Sequence, residues 1–273
     1  MMRVATLFCI CAAGLSAQNP DSAFIADARA ATARFKDIEV AIAENYVKMG
    51  PDFPAMGEHW VKGEYIMRGE LDARRPAILT YARMGDSLVL TGAVYALALK
   101  HGDAPPRWLE EGQWHDHVGT IDEESLLFHD QHDDMSSGER LVVMHAWLWA
   151  DNPAGIFATD NWSLPFERLG ISAPGASPDA ARAAALLSTG ATYYARLFAT
   201  SGALDERDAE RVADVLEQHR ASLTQWWDSL PNHATLAASE IAHLNDAWRA
   251  ITRDVSVAVT PPAARRLERV LSQ

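Results

Sequence analysis

From Phe24 through Ala28, Ala31, Phe35, Ile38 and Ile42 to Tyr46, apolar residues recur every three or four positions. That is the period of one helix face, so a helix is expected over 21–48. The run Met49-Gly50-Pro51-Asp52-Phe53-Pro54 is expected to stop it. Beyond about residue 55 the pattern turns strand-like. Residues 77–82 and 88–97 are β-rich runs around Met84-Gly85-Asp86-Ser87, as in a hairpin. Residues 141–149 form a third strong run, closed by Asp151-Asn152-Pro153, and shorter strands are expected at 57–61 and 113–118. After the loop 172–178 the helical period returns, with helices expected over 179–200, 205–229, 234–253 and 262–271. The pattern predicts an α+β fold, with an N-terminal helix on a mainly antiparallel sheet or small barrel and a C-terminal helical domain. The expected boundaries are 21–173 and 178–273.

Ahead of the first helix, Arg3 is followed by an apolar run from Val4 to Leu15 that exits through Gly14, Ser16 and Ala17. This predicts a secretory signal peptide over 1–17, cleaved near Ala17, and a secreted or periplasmic protein. The run is too short for a membrane span, which needs roughly 20 apolar residues. Both cysteines, Cys9 and Cys11, fall inside it, so the mature chain would carry no thiol.

Composition narrows the classes further. Hydrophobic residues make up 48% and charged residues 22% of 273, which excludes a disordered chain. The net charge of −13 removes a generic nucleic-acid binder, because a phosphate backbone needs a basic face. A Walker loop, a dinucleotide fingerprint, a G-x-S-x-G elbow and an H-E-x-x-H pair are all missing from the sequence.

The remaining chemistry lies in histidines on candidate strands. Trp114-His115-Asp116-His117 places two imidazoles at i and i+2, on one face of a strand. His145 shares a face with Leu141, Val143, Trp147 and Trp149, and His59 has a similar setting in Met56-Gly57-Glu58-His59-Trp60. A buried imidazole without a partner costs about 1–3 kcal/mol, so these side chains need something to bind. If the strands share one sheet, His59, His115, His117 and His145 can converge on a transition metal. Imidazole ligands suit Zn, Cu, Fe, Ni or Mn. Glu58 and Asp116 are then the candidate general bases or outer partners of the ligands, and enzyme and metal carrier remain alternatives. The other class of reading is a non-catalytic module for a small molecule or partner. In that reading Trp60, Trp108, Trp114, Trp147, Trp149 and Trp162 line a pocket.

Three further patterns read as structure. His129 and His132 belong to a polar loop, and Glu240-Ile241-Ala242-His243 lacks the second E-x-x-H that a di-iron bundle needs. Asn161-Trp162-Ser163 matches a glycosylation sequon, although 20 Arg among 24 basic residues give the chain a bacterial composition.

The strings Met56-Gly57-Glu58-His59-Trp60-Val61, Pro76-Ala77-Ile78-Leu79-Thr80-Tyr81, Leu90-Thr91-Gly92-Ala93-Val94-Tyr95 and His145-Ala146-Trp147-Leu148-Trp149, the last running on through Asn152-Pro153-Ala154-Gly155-Ile156-Phe157, carry a resemblance. Over about 23–166 the chain resembles a group of secreted bacterial proteins of uncharacterised function. They share G-x-H-[WY]-V and H-x-W-L-W-x2-N-P-x-G-x-F motifs. The resemblance implies that His59 and His145 belong to a shared pattern, and it supplies no reaction. The helical region after Pro178 departs from it.

Overall fold

The computed structural model describes residues 20–100, 102–117, 139–173, 175–191, 194 and 204–271. The expected signal peptide and the His129/His132 cluster lie outside these residues. The first expected helix is divided. Helix α1 spans Pro20–Thr32, a 3-10 turn follows at Ala33–Lys36, and α2 spans Ile38–Ala43. Asp37 restarts the helix by accepting the N–H of Glu39 at 3.0 Å. Asn45, at φ 65°, ends it in the left-handed conformation that asparagine tolerates.

Among the described residues the strands are β1 (Val47–Phe53), β2 (Gly57–Val61), β3 (Ile78–Met84), β4 (Ser87–Lys100), β5 (Trp114–His117) and β6 (Glu139–Ala146). They form one open antiparallel sheet in the order β1-β2-β3-β4-β6-β5. Of the two expected forms, the sheet is the one present. The segment read as a helix stop is β1. It is an edge strand whose pairing with β2 is bulged between Met49 and Phe53. An edge tolerates Pro51, which has no N–H to donate. Gly57 opens β2 at φ 83°, and a Cβ there would stand 2.2 Å from the Tyr81 carbonyl oxygen. Only glycine fits both the conformation and the approach.

The two faces of the sheet differ. Leu79, Tyr81, Leu90, Ala93, Tyr95, Met144 and Ala146 pack under the N-terminal helices with Phe24, Ala28, Phe35 and Ala41. Tyrosines fasten that layer: the Tyr46, Tyr81 and Tyr95 hydroxyls donate to the carbonyls of Pro76, Phe35 and Ala73 at 2.7–2.8 Å. The opposite face carries Val61, Ile78, Val94, Ala96, Leu141 and Val143, covered at one end by Ile66 of α3 (Gly63–Arg68). Near Ala82 and Trp147 it is covered by Leu164 of α4 (Leu164–Arg168).

Among the described residues the C-terminal helices are α5 (Pro178–Thr189), α6 (Glu206–Asp228), α7 (Ala238–Ala258) and α8 (Pro261–Leu271). The small residues Ala180, Ala181, Ala183, Ala184 and Ala185 of α5 are buried with Leu216, Leu244, Trp248 and Ile251. Phe166 and Ile171 belong to the same apolar cluster, and a bridge joins Ser172 to Thr235. The packing of this helical layer therefore reaches back to α4. Among the described residues no helix is long and apolar enough to cross a membrane.

Candidate functional site

Alternation along the strands decides which side chains can meet. His59 stands opposite Thr80, and Thr80 opposite Gly92. His145 pairs with Val94, and His115 with Val143. These residues all occupy the face away from the N-terminal helices. β2 and β6 are separated by two strands, so in a flat sheet their backbones would stand roughly 14 Å apart at ~4.8 Å per step. Yet the His59 and His145 rings have centroids 5.9 Å apart. The face is concave here, and the imidazoles lean together across it. Thr80 and Gly92, both small, lie beneath the gap. A Cβ at Gly92 would stand 2.4 Å from the Ala146 carbonyl oxygen and 3.2 Å from Thr80 Oγ1, so close strand approach at this point requires glycine.

His145 is the middle member of the group. Its ring lies 5.2 Å from His115, tilted by 33°, and 6.1 Å from Trp147. His59 and His145 are 4% and 2% exposed, while His115 is half-buried. The Phe53 ring meets His59 edge-on at 5.4 Å, closing the β1 side. His117 holds the register position opposite Leu141, and its side chain lies outside the described residues.

A strap formed by 156–161 runs past these rings. The Trp147 N–H donates to the Ile156 carbonyl at 2.8 Å, and Trp147 Nε1 donates to the Ala158 carbonyl at 2.6 Å. Thr159 Oγ1 is 3.2 Å from His115 Nδ1. The Asn161 N–H donates to the Ala55 carbonyl at 2.8 Å, carrying the strap to the β1–β2 turn. Asn161 is fully buried, with its amide on the Asp151 carbonyl, so the sequon offers no accessible acceptor. Sequence reasoning did not select Phe53 or Thr159 for the site. The only signal for the strap was the N-P-x-G-x-F string.

The structure does not bring the two carboxylate candidates to the imidazoles. Glu58 precedes His59 and so projects from the other face, where Lys48 Nζ lies at 2.9 Å and Arg83 Nη2 and Trp60 Nε1 each lie at 3.3 Å. Burial pushes its carboxyl up, but Lys48, Trp60 and Arg83 outweigh that and hold it below the ordinary carboxylate range. Asp116 likewise alternates away from His115 and pairs with Arg140. Among the described residues, no group of three or more His, Cys, Asp or Glu is arranged to hold a metal ion as the side chains stand.

The six tryptophans are dispersed. Trp147 is buried beside Leu164, Trp162 packs on the C-terminal cluster under Arg182, and Trp60 lies against Tyr81. The chain leaves β6 after Ala146, so Trp149 turns to the helical side and donates to Thr32 Oγ1 at 3.0 Å. Trp108 and Trp114 pack around the Phe24 cluster. Of the six, only Trp108 lines the open groove of about 640 Å³ between Phe24, Leu71 and Leu109. In the C-terminal region Glu240 accepts the Ala237 N–H, and His243 stacks on Trp226, so the E-x-x-H spacing serves local structure.

Comparison with protein-family models, with curated proteins and with solved structures finds no match to the chain.

Proposed function

We propose that the protein binds a transition metal on the concave sheet face through His59, His115 and His145, as an exported metal-binding protein of the secreted bacterial kind its motifs resemble. One observation carries this reading: histidines from three separate strands lie ring against ring on one face, at 5.2 and 5.9 Å. Two imidazoles sharing a tetrahedral ion at ~2.0–2.1 Å per nitrogen have centroids roughly 5 Å apart. Gathering the nitrogens of all three on one ion then requires rotation of the rings about their side-chain torsions. Imidazole ligands favour Zn, Cu, Fe, Ni or Mn over Ca or Mg. Neither Glu58 nor Asp116 faces the rings, so the reading is of metal binding, with no base assigned to a reaction.

A second reading has its own observation. The described residues as they stand hold no three-ligand arrangement, which favours imidazoles that serve as polar core residues beneath the strap. Titrating untagged, chelator-treated protein with Co²⁺ and following its visible absorption separates the two. Saturable binding with intense ligand-field bands supports the metal centre, whereas a spectrum that stays that of aqueous Co²⁺ supports the polar core.

A further inference from the structure

The strap brings one hydroxyl of fixed position to the site. Thr159 is flanked by Ala158, whose carbonyl accepts from Trp147 Nε1 at 2.6 Å, and by Asp160, whose carbonyl accepts from Asn152 Nδ2 at 2.9 Å. Two residues on, the Asn161 N–H is tied to Ala55. The Thr159 backbone is thus held on both sides, and its hydroxyl is delivered to His115 Nδ1 at 3.2 Å. A neutral imidazole carries one N–H and one lone pair, and a partner that accepts at one nitrogen leaves the lone pair on the other. We propose that Thr159 is a positioning residue for His115: a hydroxyl can donate or accept, and metal binding at this ring requires that Oγ1 accept Nδ1–H, which leaves Nε2 as the atom that ligates the metal. The inference rests on the metal-binding reading, since it assigns His115 a ligating nitrogen. An outer partner of this kind orients the ring and raises the basicity of the ligating nitrogen.

The tautomer can be read without any metal. The full chain, labelled with ¹⁵N at histidine and kept in chelator with the rings neutral, is examined by long-range ¹H–¹⁵N correlation, with His115→Asn assigning the signal. The expected spectrum shows Nδ1 protonated and Nε2 carrying the lone pair. Thr159→Val preserves shape but removes the hydroxyl, so the Nδ1–H preference should be lost, and Thr159→Ser should restore it. Zn²⁺ titration of the same proteins should show affinity falling by about 10–100-fold in Thr159→Val and recovering in Thr159→Ser. A wild-type His115 with the proton on Nε2 overturns the proposal, as does a Thr159→Val protein with unchanged tautomer and affinity. The expected tautomer in a chain that takes up no Zn²⁺ overturns the metal reading while leaving the tautomer assignment standing.

Discussion

Replacing His145 by alanine probes the centre of the site. Its ring is 2% exposed and touches His59, His115 and Trp147, so truncation leaves a void and removes the polar contacts of one imidazole. Void and polar loss together are worth about 3 kcal/mol. For a chain of this size that lowers the melting temperature by roughly 6–12 °C. This component is independent of metal and should appear in chelator. A bound ion adds RT ln(1 + [L]/Kd), about 4 kcal/mol when free Zn²⁺ is 1,000-fold above Kd. The full loss in Zn²⁺ should then approach about 7 kcal/mol if His145 is needed for binding. Urea unfolding of wild type and His145→Ala, each in Zn²⁺ and in chelator, measures both components. His145→Phe keeps a ring in place, so it should lose the Zn²⁺ component while losing less of the other. Equal destabilisation of His145→Ala in Zn²⁺ and in chelator would rule out a metal ligand at His145 and leave it as a polar core residue.

Two predictions follow from other parts of the fold. Gly57→Ala places a Cβ against the Tyr81 carbonyl at a positive φ, so it should cost about 3 kcal/mol or more, and an unchanged urea midpoint would contradict the turn geometry. Burial pushes the half-buried Asp160 carboxyl up to about 6, with Arg182 pulling the other way. Its folded value lies above the unfolded one of about 3.9, so the penalty on the charged form is full above pH 6, shrinks as pH falls from 6 toward 3.9 and is gone below the unfolded value. Asp160→Asn should therefore stabilise by about 1–2 kcal/mol near pH 8 and by almost nothing near pH 3, whereas equal effects at both pH values would count against it.

The sequence carried much of the sheet, for reasons the residues make plain. Residues 77–82 and 88–97 around Gly85-Asp86 read correctly as a hairpin because β-rich runs and a glycine turn agree locally, and Met84 pairs with Ser87 as expected. β1 was hidden because Gly50 and Pro51 are breakers everywhere except at a bulged edge, and edge position is a property of the assembled sheet. The break between α1 and α2 was hidden because Phe35 keeps the apolar spacing while Asp37 starts a new helix. At the site, period-two alternation grouped His115 with His117 and His145 with Leu141 and Val143, but their common face follows only from the β5–β6 register, which sets His115 opposite Val143. It also implied that Glu58 and Asp116, each adjacent to a histidine, point the other way. The approach of His59 to His145 depends on curvature across four strands, and the meeting of Thr159 with His115 depends on a contact 44 positions apart. Neither is encoded in local pattern.

Whether His59, His115 and His145 share an ion is read from the Co²⁺ titration of the untagged, chelator-treated chain, extended to competition and to variants. A shared ion gives saturation at one ion per chain, intense visible bands that Zn²⁺ erases, and loss of those bands in His59→Ala, His115→Ala and His145→Ala alike. Wild-type protein that leaves Co²⁺ in its aqueous spectrum, or bands that survive in all three variants, would contradict it.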